Sequence, residues 1–329
     1  MDELTPDKHT PDEPIPDEAI PDEPIPAGAT PTPSFRAGYV ALVGRPNVGK
    51  STLLNRLLDH KLSIVSAAPQ TTRQRILGIL SRPSHQIVFL DTPGILEPRY
   101  ELQRRMLDQA MAAVGDADLL VVLVEAHDPL RDREVELVSE IAARAGDRPL
   151  FVVLNKIDRI AKPLLLPLIG RLSELAASAE IVPISALTGD GVPVLEELLV
   201  RHLPAGSPFF PPDQLSDQSQ RFFAAELVRE KVFQHYGEEV PYSTAVRVIA
   251  FEEEGEERRK VYIRAEVLVE RESQKGILIG EGGRALKRVG QEARRDIEVF
   301  LGRPVYLELK VRVRKDWRKD KRLLEELGL

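Results

Sequence analysis

Two textures of apolar and polar residues follow one another along the chain. From Phe35 to Leu203, short continuous apolar runs (YVALVG, QIVFLD, DLLVVLVE, PLFVVLN and EIVPIS) alternate with amphipathic stretches. Uninterrupted runs of this length fit parallel strands covered on both faces. Residues 51–59, 100–114, 131–145, 163–177 and 192–202 carry helical spacing between them. Strand and helix in alternation predict a doubly wound α/β domain with a mostly parallel sheet over residues 35–203.

A stretch rich in Pro and turn formers, LPAGSPFFPPDQLSDQ, interrupts the pattern. It predicts a linker over residues 204–216, with Ser216 or Asp217 capping the next helix. Beyond it, over 217–329, the texture changes to a smaller α+β domain. A helix is expected over 218–236, then alternating strands over 244–252 and 260–270 joined by the polar EEEGEER. A glycine-rich stretch, a helix to about Leu301 and the strand PVYLELKVRV complete the order α-β-β-α-α-β. In that last strand Val305, Leu307, Leu309, Val311 and Val313 face one way, and Tyr306, Glu308, Lys310, Arg312 and Arg314 the other. One-sided strands imply a sheet with one wet face and helices on the opposite face.

The first 34 residues have no such pattern. They are a degenerate Pro-Asp-Glu repeat whose prolines remove donors and whose acids repel, so a disordered, solvating tail is expected there. This tail distorts the overall charge. Its nine acids and one Lys account for −8, so the net −7 of the whole chain leaves +1 for residues 35–329. Within those, residues 284–323 hold 14 Lys and Arg against six Asp and Glu, a basic concentration near the C-terminus. The absence of cysteine excludes disulfides, thiolate catalysis and Cys-based zinc sites. Six scattered His make no metal pair. No apolar run approaches the roughly 18 residues of a membrane span, and the N-terminus has no apolar core of a secretory signal. These features predict a cytoplasmic protein.

Candidate chemistry begins with GRPNVGKS, Gly44 to Ser51, which follows a strand and opens a helix. The match to G-x-x-x-x-G-K-S in that context predicts a phosphate cradle. Gly44, Asn47, Val48, Gly49, Lys50, Ser51 and Thr52 are expected on the nucleotide. Lys50 should reach the β- and γ-phosphates, and the Ser51 hydroxyl should bind Mg²⁺. Alone, the loop leaves a kinase or an ATPase open. Three further loops, each at the carboxyl end of an expected strand, narrow the choice. In DTPG, Asp91 can hold Mg²⁺ through water, and the Gly94 N–H can sense the γ-phosphate. In NKID, with Asn155 and Lys156, the Asp158 carboxylate can accept both N1–H and the exocyclic amine of guanine, a donor pair that adenine lacks. In SAL, the backbone of Ser185, Ala186 and Leu187 can donate to the guanine O6. QTTR, Gln70 to Arg73, reads as a switch loop in which Thr72, rather than Thr71, meets Mg²⁺ in the triphosphate state. Lys50, Thr72 and Gly94 are the expected catalytic groups.

A second glycine cluster, GILIGEGGRALKRVG, is ambiguous. Gly280 to Ala285 fits the G-x-G-x-x-G/A form of a dinucleotide turn. That reading needs a buried parallel strand before it, whereas Gly276 leaves only Ile277, Leu278 and Ile279 as a lead-in.

The set GRPNVGKS, QTTR, DTPG, NKID and SAL, followed by a linker and GILIGEGG with its flanking strands, closely resembles the Era family of bacterial ribosome-assembly GTPases over residues 36–329. The resemblance implies a Ras-like GTPase domain and a KH-type RNA-binding domain. It also implies a partner, the small ribosomal subunit, engaged near the 3′ end of its RNA during late maturation. In a KH domain, G-x-x-G joins two helices and clamps single-stranded RNA by close backbone approach. Here that is Gly280, Glu281, Gly282 and Gly283, with Ile277, Ile279 and Leu286 under the bases and Arg284, Lys287 and Arg288 at the phosphates. Glu281 departs from the basic residue often found in such loops. Ile95, after Gly94, replaces the water-orienting Gln of many small GTPases, so slow intrinsic hydrolysis is expected. Related GTPases with Asn at the position of Asn47 recruit K⁺ beside the phosphates. The tail RKDWRKDKRLLEELGL admits RNA contact with Trp317 stacking, contact with the inner face of an anionic membrane, or an ordinary solvated helix. A monomer is expected.

Overall fold

A six-stranded sheet carries the first half of the chain, in the order β2-β3-β1-β4-β5-β6. The computed structural model describes residues 35–66, 68–127, 129–252 and 260–329; the acidic tail and most of the EEEGEER connector lie outside the described residues. The elements run β1 (Arg36–Gly44), α1 (Lys50–Leu58), β2 (Ile76–Arg82), β3 (His85–Asp91), α2 (Glu101–Asp116) and β4 (Leu119–Glu125). They continue with α3 (Asp132–Ala145), β5 (Leu150–Asn155), α4 (Leu165–Leu175), β6 (Glu180–Ile184) and α5 (Val192–His202). All strand pairs are parallel except β2 with β3. The apolar runs bury both faces. One side of the sheet packs Leu42, Phe89, Val121 and Val153 under α1 and α5. The other packs Val43, Leu90, Val122 and Leu154 under α2, α3 and α4.

Strand β2 is absent from the apolar runs singled out above. Gly78 divides its sequence, ILGILSR, and it is the antiparallel edge of the sheet. A Cβ at Gly78 would lie 2.6 Å from Leu54 Cδ1, so the glycine lets α1 pack its leucines directly on the strand.

The second half has a three-stranded sheet, β7-β8-β9, with β7 and β8 antiparallel and β8 and β9 parallel. Its elements are α6 (Gln220–His235), β7 (Ala245–Glu252), β8 (Val261–Val269), α7 (Glu272–Ile279), α8 (Arg284–Leu301), β9 (Val305–Val313) and α9 (Lys321–Glu326). The expected alternation in β9 holds. Val305 to Val313 at odd positions pack into the core with Val228, Val289 and Ile297, while Tyr306, Lys310 and Arg312 are exposed.

Two local expectations need correction. The cap of α6 is Ser219, whose hydroxyl accepts from Phe222 N–H. Ser216 instead donates to the Leu77 carbonyl at 2.6 Å, which fastens the linker to the sheet edge. Trp317 is buried to 0% exposure, with its Nε1 donating to the Ser243 carbonyl at 2.8 Å, among Leu102, Met106, Leu268 and Leu324. A buried ring has no face to offer a base, so stacking on RNA is excluded for it.

Candidate functional site: a nucleotide cleft and a glycine turn

Strand β1 lies between β3 and β4, where the chain changes its winding direction, and ligands of open α/β sheets sit at the carboxyl ends of strands there. A cleft of about 660 Å³ opens at that place. It is lined by Asn47, Gly49, Lys50, Ser51, Thr52, Thr72, Gly94, Asn155, Lys156, Asp158, Ala186 and Leu187, so the separate loops converge. Gly44 and Val48 lie beneath it and are buried.

The loops are fitted to one another. A Cβ on Gly44 would lie 2.7 Å from the Leu123 carbonyl, and one on Gly94 2.6 Å from Pro46 N. The Asn155 amide ties two loops together: Nδ2 donates to the Val48 carbonyl at 2.6 Å, and Oδ1 accepts from Ala186 N–H at 2.9 Å. Ser185 Oγ donates to Asp158 Oδ1 at 2.6 Å, which orients the carboxylate expected to read guanine. Lys156 ion-pairs with Glu125 at 3.2 Å. Lys50 turns its ammonium to the Gly44 and Arg45 carbonyls, each at 3.1 Å. Burial lowers its pKa to about 8, against the opposing pull of Asp91.

Three oxygens meet at the foot of the cleft. Ser51 Oγ lies 2.9 Å from both Thr72 Oγ1 and Asp91 Oδ2. Asp91 is fully buried, its pKa is raised by burial, and its Oδ1 has no hydrogen-bond partner. Two hydroxyls and a carboxylate with a spare oxygen form a hard donor set that fits Mg²⁺. Thr72 reaches this cluster. Thr71 instead turns its carbonyl to the Arg229 guanidinium. Ile95 offers no polar atom from its side chain; it is half-buried against the second core, and its N–H donates to the Gly44 carbonyl at 3.0 Å.

Sequence reasoning missed three supporting side chains. Ser63 donates to Asp91 Oδ2 at 2.9 Å, Glu125 holds Lys156, and Arg56 donates to the Ala186 and Leu187 carbonyls. None stands in a motif, and each acts across a long sequence separation.

The second glycine loop joins α7 to α8, so the residues before it form a helix and not the strand that a dinucleotide turn needs. Gly280, Gly282 and Gly283 have φ of +68°, +58° and +77°, a region that favours glycine. A Cβ on Gly280 would lie 2.6 Å from Ala285 Cβ, whereas Gly282 and Gly283 have nothing within 4 Å. Ile277, Glu281, Arg284, Lys287 and Arg288 are exposed, and Ile279 and Leu286 are half-buried. Glu281 pairs with Arg284 at 2.7 Å, both largely in solvent.

Comparison with known proteins places these two sites in one lineage. A family model described as a 50S ribosome-binding GTPase matches residues 39–156, and a KH domain model matches residues 239–318. GTPase Era of Geobacter metallireducens is 50% identical over 294 residues, which are 89% of this chain and 98% of that protein. GTPase Era of Syntrophus aciditrophicus is 46% identical over 294 residues, 89% of this chain and 95% of that one. The crystal structure of an Aquifex aeolicus Era variant bound to GDP and AlF4⁻ superposes with a TM-score of 0.86 at 42% identity, covering 89% of this chain and 99% of that one. A structure of Era with MgGDPNP and nucleotides 1506–1542 of 16S ribosomal RNA has the same TM-score, identity and coverage. With relatives matched over nearly their whole length and both models met in order, the chain belongs to the Era family of GTPases, which hydrolyse GTP with Mg²⁺.

Proposed function

We propose that this protein is a GTP-driven switch whose KH domain grips single-stranded RNA of the small ribosomal subunit, near its 3′ end, during subunit maturation. The observation that carries the reading is the α7–α8 turn. Its glycines leave bare backbone open to solvent, and three exposed cations stand at the start of α8. Backbone that a polynucleotide can approach closely, flanked by charge for its phosphates, is the chemistry of a KH clamp. The relative solved with nucleotides 1506–1542 of 16S ribosomal RNA supports the choice of RNA. One model's description names the large subunit, but it spans only residues 39–156, so the relatives matched over their whole length weigh more.

In this reading residues 35–203 are the GTPase domain, 204–216 the linker and 217–329 the KH domain. Gly44 to Thr52 hold the phosphates. Ser51, Thr72 and Asp91 hold Mg²⁺, and Lys50, Thr72 and Gly94 assist hydrolysis. Asn155, Lys156, Asp158 and the 185–187 backbone read guanine, and K⁺ beside Asn47 supplies positive charge where an arginine finger otherwise would. The protein acts as a cytoplasmic monomer. The C-terminal cations are the surface on which a weak contact with an anionic membrane would rest, and vesicle co-sedimentation at low and high salt tests it. Among the described residues no helix is long and apolar enough to cross a membrane.

Crosslinking to cellular RNA followed by sequencing tests the central claim. Reads should concentrate at the 3′ end of small-subunit RNA and disappear in Gly282→Asp. Reads spread over cellular RNA in proportion to abundance would refute it. GTP hydrolysis measured with and without small subunits, in K⁺ and in Na⁺, tests the switch.

A further inference from the structure

Between α1 and Thr72 the chain touches α6 through Lys61, Val65 and Thr71. That helix buries three consecutive charged residues, Arg229, Glu230 and Lys231. Glu230 receives Lys61 Nζ at 2.6 Å and Val65 N–H at 3.4 Å. Asp296 on α8 joins the same cluster, at 3.2 Å from Lys61 and 2.7 Å from Lys231. Farther along, Arg229 donates to the Thr71 carbonyl, while Glu226 holds its Nε at 2.7 Å.

Arg73 makes the reverse contact. Its buried guanidinium leaves the GTPase sheet and enters the turn before β7, donating to the carbonyls of Thr244 (2.6 Å), Pro241 (3.0 Å) and Tyr242 (3.2 Å). The rings of Phe233 and Trp317 lie 5.9 and 5.7 Å from it. Thr72 thus stands between two residues, each fastened to the KH half, and its own hydroxyl is turned to Ser51.

We propose that Arg229 and Arg73 are positioning residues of the GTPase reaction. They hold the backbone on either side of Thr72 so that its hydroxyl stays with Ser51 and Asp91, and α6 is therefore a structural part of the GTPase site. The inference rests on the reading of Thr72 as a Mg²⁺ ligand. The contacts are of a kind that holds position. Charge-assisted donors to buried carbonyls are strong and directional, and three carbonyls on one guanidinium leave it a single geometry. Without them, residues 70–73 would have to order themselves at each metal-binding event, which appears as a higher demand for Mg²⁺.

The test uses the full-length protein and three substitutions, Arg229→Met, Arg73→Met and Thr72→Ala, with Arg229→Lys as the conservative variant. Each is assayed for GDP affinity without Mg²⁺, for kcat, and for the Mg²⁺ concentration giving half-maximal hydrolysis. Both Arg→Met variants should keep GDP affinity and raise the Mg²⁺ requirement, Arg229→Met about tenfold, the effect of losing its one charge-assisted hydrogen bond to Thr71, and Arg73→Met, which loses three, by at least as much. Arg229→Lys, which retains a donor within reach of Thr71, should recover part of it. If Thr72→Ala leaves the Mg²⁺ requirement unchanged, the metal-ligand reading fails first, and the inference with it. If Thr72→Ala raises it and both Arg→Met variants do not, the inference alone fails. A fall in kcat at unchanged Mg²⁺ demand, or a parallel loss of GDP affinity, would mark general structural damage and overturn it as well.

Discussion

Replacing Asn155 by alanine should separate two loops that one side chain joins. Asn155 is 1% exposed, and its amide spans from the Val48 carbonyl to Ala186 N–H. Alanine leaves that buried acceptor and that buried donor without the amide that joins them, at about 1–3 kcal/mol for each. The lower limit, about 2 kcal/mol in sum, corresponds to an affinity loss of about thirtyfold if it falls on the ordering of the nucleotide cleft. A fluorescent GDP titration reads it directly. A second substitution makes the reasoning stricter. Gly49 has φ +104°, and a Cβ there would lie 2.2 Å from Asn155 Nδ2. Gly49→Ala must therefore expel the Asn155 amide as well as strain the backbone. On the Asn155→Ala background the collision is gone and only the strain remains, about 1–2 kcal/mol. The two losses should fall short of additivity by about 0.5–3 kcal/mol, as for groups in contact. Additive losses, or an Asn155→Ala protein that binds GDP like the parent, would refute the account.

Three other outcomes are expected. With Lys50 lowered to about 8 by burial, and phosphate binding needing the ammonium form, GTP affinity should be full well below that pH and weaken about tenfold by pH 9; a flat titration between pH 7 and 9 would contradict this. Gly282→Asp should abolish RNA retention in a filter-binding titration while leaving GTP hydrolysis intact, because a side chain there meets nothing within 4 Å and Asp tolerates a φ of +58°. Trp317→Ala should destabilise the protein by about 3–5 kcal/mol in chemical denaturation, the usual cost of emptying a buried aromatic site; a loss under about 1 kcal/mol would mean the ring is not the plug it looks to be.

What the sequence disclosed, and what it hid, divides along the range of the interactions. GRPNVGKS, DTPG, NKID and SAL are each contiguous, and each ends or follows an apolar strand, so their convergence follows from sheet topology alone. QTTR does not end a strand, and the choice of Thr72 over Thr71 has no such support; in the fold it is the Thr72 hydroxyl that lies against Ser51. Nor are the long-range partners legible in the sequence. Ser63, Arg56 and Glu125 lie in ordinary-looking segments, and only the fold brings them to Asp91, Leu187 and Lys156. Helix α6 is expected from the sequence only as a helix over 218–236, and nothing in that pattern sets Arg229, Glu230 and Lys231 apart. They are buried against partners distant in sequence, Lys61, Val65 and Thr71 from the GTPase half and Asp296 on α8, which periodicity within one helix does not reveal. Trp317 misleads for the same reason: Lys315 and Lys319 beside it are exposed, while its ring fills a gap between α2 and β8.

The two glycine loops differ in what their missing side chains make room for, and the difference sets what each can hold. At Gly44, Gly49 and Gly94 the missing side chain makes room for protein: Leu123, Asn155 and Pro46 occupy the space a Cβ would need. Such a loop is fixed in shape before any ligand arrives, which suits one small ligand of constant geometry. At Gly282 and Gly283 the missing side chain makes room for nothing in the protein, and the glycines serve a backbone with positive φ that stays open. Such a turn suits a polymer that slides in from solvent. Glu281 is consistent with this openness. An acid in the first loop would be buried against the phosphates, whereas here it stands 89% exposed and pairs with Arg284. The pair leaves Lys287 and Arg288 as the unopposed cations at the start of α8. Removing the acid with Glu281→Gln should release Arg284 and tighten RNA binding, most clearly at low salt; weaker binding would mean that the carboxylate itself contacts the RNA.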